Sequence, residues 1–433
     1  MSTRTRIGPV GLVAGLLLVC LALGGCTPSG TGQSPQTVTG QMGAQIGYGA
    51  AGPNMQVLGR RDGSFAVANR SNWWQPAYSV DAFSRLDQIW PAHRVAKGPE
   101  TSPWLRAAKA PEISYVGNPR NGPGRFSLRQ YLERNPATGL LIARDGTILF
   151  EQYQYGRRDT QRLTSFSMAK TITAMLIGIA IEDGHIRSIE DTADSYVPDL
   201  SGTEYGRTPL RHLLTMSSGV AFREEYDGKD DSALLSRNTL GGQTGGGALA
   251  LVPFNTRHAA PGAIWNYASA ETYVLGLVLR NAVGRSVSEY LSEKIWQPMG
   301  AEADATWVVD RSGLELGHTS FNAVPRDYAR FGMLLANGGR AGGKQLIPAA
   351  WLTLATQAHF PGEQTYRWYG YGFQTWIFPD GSGCFAMLGV RGQAIFIDPV
   401  KKLVLVHTAV RSEPRDPGGA DLTALWRALR AAL

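Results

Sequence analysis

Polar and apolar positions divide this chain into stretches of different kind. Residues 10–23 are almost wholly apolar, and residues 27–52 are Gly, Ser, Thr, Gln and Pro with little to bury, the composition of a flexible tether. Between residues 55 and 123 no period holds, yet Trp73, Trp74, Trp90 and Trp104 are scattered among prolines and glycines. Four indoles need something to pack on, so the segment is expected to wrap irregularly over a larger domain. A short helix follows at 127–134. Residues 139–153 hold two apolar runs joined by Arg144-Asp145-Gly146, the signature of a hairpin with Asp-Gly at its turn. Residues 164–181 then run from small hydroxyl side chains into a long apolar stretch without proline, stopped by Asp183-Gly184. That pattern predicts a buried helix beginning near Ser165.

Beyond Gly184 the pattern is helical in short pieces. Thr208-Pro209 starts a helix over 210–216, which ends at Ser217-Ser218-Gly219. Residues 222–247 are charged and then glycine-rich, too long for an ordinary connection, and are expected to form a loop over a functional cleft. Helices are predicted over 271–283, over 325–337, over 348–357 and after Ser286, which with Glu289 makes a capping box. The C-terminal part turns to strands at 371–378, 384–388, 393–397 and 403–410, with a hairpin at Asp398-Pro399 and an amphipathic helix over 420–433. Strands at both ends of a largely helical sequence imply an α+β class: one antiparallel sheet flanked by helices, plus an all-helical lobe.

Composition removes several functions. With 433 residues, 43% hydrophobic and 18% charged, the chain can bury a substantial core and is not a disordered one. The formal charge of +7 is spread without a basic run, which argues against a nucleic-acid partner. The seven histidines are scattered and His-Glu-x-x-His is absent, so no metal site is expected. No Gly-x-Ser-x-Gly marks a nucleophile elbow, and Gly241–Gly247 lacks the Gly-Lys-Ser/Thr of a phosphate loop. No cofactor is implied.

The N-terminus changes the expected compartment. Arg4 and Arg6, the apolar core and Leu23-Gly24-Gly25-Cys26 resemble the signal and lipobox of bacterial lipoproteins. The resemblance implies removal of residues 1–25, a lipid on Cys26, a tether over 26–54, the wrap over 55–123 and a main domain over 124–433. The domain would then sit outside the cytoplasm in a bacterial cell envelope, on the outer membrane of a two-membrane cell because Thr27 rather than Asp follows the cysteine. An uncleaved anchor or an ordinary secretory peptide is the alternative. With Cys20 removed and Cys26 lipidated, Cys384 stands alone, which excludes an intramolecular disulfide and makes it a small buried hydrophobe.

The candidate chemistry lies on the first turn of the apolar helix. Ser167 and Lys170, three apart, share one helix face, close enough for the amine to reach the hydroxyl. A serine needs something to take its proton, and a free lysine, with a pKa of about 10.4, is charged at neutral pH. Burial among apolar groups pushes the amine toward its neutral, basic form. The spacing alone equally describes a helix start with a solvated lysine. Two features favour chemistry: Ser167-Met-Ala-Lys170 is the one Ser-x-x-Lys of the chain, and its helix is too apolar for the surface.

Two further motifs align with it, Tyr267-Ala-Ser269 and Gly389-Val-Arg-Gly392-Gln393 at a late strand. Order and spacing resemble the penicillin-recognising serine hydrolases, the superfamily of class C β-lactamases, D-alanyl-D-alanine peptidases, family VIII esterases and 6-aminohexanoate-dimer hydrolases. The likeness is nearest to the last two groups and covers roughly residues 126–433. Residues 213–219 and 326–332 look like that superfamily's structural signatures. The resemblance implies a β-lactamase/transpeptidase-like fold, Ser167 as acyl-enzyme nucleophile, Lys170 as its proton partner and Tyr267 as proton shuttle. The oxyanion hole would be the backbone N–H groups of Ser167 and Val390. Tyr267 would need its pKa lowered by a nearby cation, and Lys170 is the obvious source. Whether Lys170 or Tyr267 is the acylation base stays open.

Departures from the pattern speak to substrate. Ser269 stands where class C β-lactamases have Asn, and Met387-Leu388-Gly389 replaces Lys-Thr-Gly or His-Thr-Gly. Loss of that cation removes a charge-assisted bond to a substrate carboxylate, so β-lactams are expected to be poor substrates. Ser269, Gly389, Arg391 as a substitute cation, and Tyr226 as a cap on a bound amide are the expected substrate-binding residues. The expected function is hydrolysis of small esters or amides. The alternatives are a cell-wall D-amino-acid peptidase or weak β-lactamase, and a non-catalytic binding lipoprotein of the same fold.

Overall fold

The computed structural model describes residues 48–49, 52–119, 122–242, 244–415 and 418–433. The targeting segment and Cys26 lie outside the described residues. The main sheet grows from the hairpin that Asp145-Gly146 closes. Both residues have positive φ, 44° and 77°, the left-handed pair that matches strand twist. Numbered in chain order, the strands of this sheet are β1 (Leu105–Arg106), β2 (Ala137–Arg144), β3 (Thr147–Tyr153), β4 (Gly370–Tyr371), β5 (Trp376–Ile377), β6 (Phe385–Gly389), β7 (Gln393–Asp398) and β8 (Leu403–Ala409). Their spatial order is β4-β5-β6-β7-β8-β2-β3-β1, antiparallel except where β1, from the wrap, runs parallel to β3. The N-terminal hairpin therefore docks beside the C-terminal strand, with Leu405 opposite Ile142 and Val404 opposite Ala143.

Alternation along β2 explains the layers. Leu141 and Ala143 join the core beneath the helical lobe, whereas Leu140 and Ile142 face the helix Gly418–Ala432. That helix returns Leu422, Leu425, Trp426 and Leu429, one face of a 3.6-residue period. The antiparallel sheet with helices on both faces and an all-helical lobe is the α+β architecture expected from the sequence. A second sheet, ordered Leu163–Thr164, Phe321–Ala323, Ala305–Val308 and Ala92–Val95, carries the chain into Ser167.

The helical lobe is built around α1 (Ala169–Glu182) and α2 (Ser269–Val283). Every residue of α1 from Ala169 to Ala180 is buried, β-branched Thr171, Ile172, Thr173 and Ile177 included. Their modest helix propensity is overridden by burial on all sides. Gly178 allows the closest contact: a Cβ there would stand 2.2 Å from the Trp351 ring, whose Nε1 donates to the Ala174 carbonyl at 3.0 Å.

Three expectations need correction. The tether reaches the folded body by residue 52, because a Cβ on Gly52 would lie 2.6 Å from the Glu133 carbonyl. The stretch 222–247 is not all loop, since Asp230 caps a helix over Asp231–Thr239 by accepting the Ala233 N–H at 2.9 Å. Residues 371–378 are two short strands rather than one. The chain turns at Gln374, φ 52°, whose amide Nε2 donates to the Leu213 carbonyl at 2.8 Å in the core. The wrap packs on the main domain through Leu58, Val80, Phe83 and Ile89 against Phe166 and Val410.

Candidate active site

Ser167 occupies a bend between strand and helix. Ser165 fixes the approach by donating its N–H to Phe321 O at 2.7 Å and accepting the Phe321 N–H at 3.1 Å. Phe166 then takes φ 43°, an unfavourable conformation for an aromatic residue, and a 3-10 turn over Phe166–Met168 leads into α1. Packing holds that strain in place. Phe83 meets the Phe166 ring edge-on at 4.8 Å and Trp74 at 5.6 Å. From the other side Gly389 presses so close that a Cβ would come within 2.4 Å of Ser165 O.

Lys170, one turn on, is 2% exposed. Its Nζ lies 3.0 Å from Ser167 Oγ, 3.0 Å from Ser269 Oγ and 3.0 Å from the His318 carbonyl. Among the described residues no carboxylate pairs with the amine directly. Burial pushes its pKa down to about 8, and the charge of Glu224 opposes part of that shift. The nitrogen also stands 4.9 Å from the centre of the Tyr267 ring. His318 is held well below its ordinary pKa by burial and by Lys170, so it remains a neutral imidazole.

Tyr267 arrives from the segment before α2, cradled by residues 216–219. Met216 accepts the Asn266 N–H on its carbonyl at 2.8 Å and the Ala268 N–H on its sulfur at 3.3 Å, and Ser218 Oγ donates to Glu271 on α2 at 2.6 Å. The Tyr267 phenol lies beside Ser167 and its ring beside Lys170 Nζ, so serine, lysine and phenol converge. Its pKa is a correction to the sequence expectation. Burial and the charge of Glu224 raise it above the ordinary phenol value, outweighing Ser167, Arg415 and Arg367. Tyr267 rests as a neutral phenol, and Lys170 is the group poised near neutrality.

A cavity of about 260 Å³ opens on Ser167. Trp73, Trp74, Phe166, Leu240, Leu316 and Val390 make its apolar wall, and Glu224, Asp230, Tyr226, Ser269 and His318 its polar one. Two of the indoles belong to the wrap. Among the described residues no arginine or lysine lines this cavity. Asp230 is satisfied by backbone N–H groups of Glu225, Tyr226 and Ala233, which hold its carboxyl below the usual carboxylate range despite burial. Glu224, 5% exposed, accepts the Ser269 N–H at 2.7 Å, the Ser269 hydroxyl at 2.9 Å and the Tyr226 hydroxyl at 2.7 Å.

The predicted site residues thus divide. Ser167, Lys170, Tyr267 and Ser269 come together, and Tyr226 and Val390 border the same cavity. Gly389 supports the serine bend from beneath. Arg391 is the failure: it is 3% exposed, its guanidinium donates to the carbonyls of Arg411, Ser412 and Trp74, and it stacks 4.4 Å from the Trp74 ring. It clamps the wrap to the sheet rather than facing a substrate. Met387 is fully buried in the apolar core, so the third motif supplies no charge. Glu224, His318 and Trp74 were not legible as site residues. The one local sign was Glu224 lying two positions before Tyr226.

A family model described as Beta-lactamase matches residues 127–430. The 6-aminohexanoate-dimer hydrolase of Paenarthrobacter ureafaciens is 24% identical over 361 residues, covering 79% of this chain and 88% of its own. A Bacillus anthracis structure described provisionally as a 6-aminohexanoate-dimer hydrolase superposes with a TM-score of 0.76 at 25% identity, over 84% of this chain and 98% of its own. A family VIII carboxylesterase shares the fold, with a TM-score of 0.52 at 18% identity over 68% of this chain and 93% of its own.

Proposed function

The chain belongs to the β-lactamase family, within the penicillin-recognising serine hydrolases, and from that premise we propose that it cleaves small linear amides or esters through an acyl-enzyme on Ser167. It is a serine hydrolase of the esterase/amidase kind. The observation that carries the finer reading is the dry amine 3.0 Å from the Ser167 hydroxyl, with a pKa of about 8. Near neutral pH a usable fraction of Lys170 is uncharged and can accept the serine proton. Ser167 Oγ attacks the substrate carbonyl as Lys170 Nζ takes its hydrogen. The amide hydrogens of Ser167 and Val390, both bordering the cavity, stabilise the oxyanion. Tyr267, neutral and beside Ser167, passes a proton to the leaving amine or alkoxide and recovers one from Lys170. A water then takes the leaving group's place and the same transfers run in reverse.

The walls support a substrate class. The indoles and Phe166 suit an apolar acyl chain, and Tyr226, its hydroxyl hydrogen given to Glu224, keeps oxygen lone pairs for a substrate amide N–H. The absence of a lining cation among the described residues and the buried Met387 disfavour the carboxylate of a β-lactam or a D-alanine terminus. Linear amides of the kind named for the P. ureafaciens relative are the leading candidates. The segment ending in Leu23-Gly24-Gly25-Cys26 supports a lipid anchor that holds this activity outside the cytoplasm.

The test is labelling with a fluorophosphonate followed by a substrate panel. Wild type is expected to label and Ser167→Ala not to; equal labelling of both ends the assignment. On the panel, p-nitrophenyl esters and the 6-aminohexanoate dimer should turn over and a chromogenic cephalosporin should not. Fast cephalosporin hydrolysis would overturn the reading of Met387.

A further inference from the structure

Lys170 has three neighbours at hydrogen-bond distance, and a neutral amine has two hydrogens and one lone pair. Which neighbour receives the lone pair decides whether the amine can be a base toward Ser167. The His318 carbonyl can only accept, so it takes one hydrogen. Ser269 is ambiguous by itself, because a hydroxyl both donates and accepts. Glu224 removes the ambiguity. A carboxylate accepts, and Ser269 Oγ donates its hydrogen to Glu224 Oε1 at 2.9 Å, leaving only lone pairs for Lys170. The second amine hydrogen goes there. The lone pair then faces Ser167 Oγ.

We infer that Glu224 is a positioning residue that acts through Ser269: it fixes the serine hydroxyl as a pure acceptor and so aims the Lys170 lone pair at the nucleophile. The inference rests on Lys170 being the acylation base. It accounts for a serine at a position where class C enzymes carry asparagine. A serine locked by a carboxylate presents Lys170 with the lone pairs that an amide oxygen would present.

The surroundings show that Glu224 is built into place. Its Oε2 takes the Ser269 N–H at 2.7 Å and its Oε1 the Tyr226 hydroxyl at 2.7 Å, and its own carbonyl accepts from Arg415 at 2.6 Å. Arg415 also pairs with Glu225 and lies 5.0 Å from the centre of the Tyr226 ring. Tyr226 is held at φ 61° by Asp230, which accepts its N–H at 2.6 Å. Strained backbone, a capping carboxylate and an arginine thus converge on the residues that hold one carboxylate against Ser269.

The groups that set the charge state of Lys170 are Glu224, His318 and the Tyr267 phenol. His318 and Tyr267 are both neutral, so Glu224 is the charge whose removal matters. The experiment is a double-mutant cycle between Glu224→Gln and Ser269→Asn, reading the pH profile of kcat/KM for a p-nitrophenyl ester. Glu224→Gln replaces an acceptor by an amide that can donate to Ser269, freeing the hydroxyl hydrogen to turn on Lys170. The plateau is expected to fall about 100-fold, the size of a general-base contribution. Loss of the negative charge should also move the acid limb below its wild-type position. In the Ser269→Asn background the amide oxygen is already an acceptor, so the same replacement should lower the plateau less than about 10-fold. Ser269→Ala is the second arm: with no hydroxyl to orient, Glu224→Gln should add no further plateau loss. Equal losses in all three backgrounds, or an acid limb that moves with no change of plateau, would overturn the inference. Lys170→Ala, measured alongside, separates the two failures. If labelling survives it, the base itself is wrong; if labelling is lost there while Glu224→Gln leaves the plateau intact, only the role of Glu224 falls.

Discussion

At Tyr267 a single side chain decides how the work is divided. Its phenol lies beside Ser167 and is held above the ordinary tyrosine pKa by burial and by Glu224, so it enters the reaction with its proton on. Tyr267→Phe is therefore expected to leave the Ser167–Lys170 contact intact while lowering turnover of a p-nitrophenyl ester about 100-fold. Unchanged turnover would remove the phenol from the proton path. Spacing made Ser167, Lys170 and Tyr267 legible, because each must sit at a fixed offset within a motif. The phenol's pKa was not legible, since it depends on burial in the folded site and on a carboxylate forty-three positions earlier in the chain. Arg391 was misread for a related reason. The three carbonyls that capture its guanidinium belong to residues 74, 411 and 412, and no pattern along the chain announces them.

Elements were legible where their own residues close them. The capping box Ser286/Glu289 and the Asp145-Gly146 turn formed where the sequence placed them, and the helix expected after Ser127 is closed by a second box with Gln130. The turn inside 371–378 was not, because Gln374 carries neither the glycine nor the asparagine that marks a left-handed position. It is held instead by tertiary bonds: Thr171 Oγ1 donates to its carbonyl at 2.7 Å and Thr272 Oγ1 to its side-chain oxygen at 2.7 Å. The helix that carries Lys170 is also governed by its neighbours. Helix propensity alone says that Gly178→Ala should stabilise by about 1 kcal/mol. The Trp351 ring, 2.2 Å from the new Cβ, says the reverse, and overpacking is expected to destabilise the fold by about 1–3 kcal/mol in urea unfolding. A stabilised variant would show that the α1–Trp351 contact is looser than described.

The whole molecule assembles the site from segments far apart in sequence. The wrap, which lies outside the matched family region, contributes Trp73 and Trp74 to the cavity and the edge strand β1 to the main sheet. Its arrival at the serine depends on Arg391, the link between Trp74 and the chain after β8. Arg391→Met should strand those carbonyls and lower stability by about 2–4 kcal/mol. It should also release Trp74, and with it the discrimination between short and long p-nitrophenyl acyl chains. Retention of both stability and chain-length preference would detach the wrap from the site. At this scale the sequence indicated that indoles must pack, but not on what, because the partners come from both ends of the fold.

The account stands on a sheltered amine that activates a serine, and the rate of fluorophosphonate labelling against pH tests it most directly. Lys170 has a folded pKa of about 8, below its ordinary 10.5, so the basic form is scarce below that pH and dominant above it. Labelling at Ser167 should rise through about pH 8 to a plateau, and Lys170→Ala should flatten the profile and lower the plateau about 100-fold or more. A rate indifferent to pH across that range, or a Lys170→Ala protein that labels as fast as wild type, would contradict it.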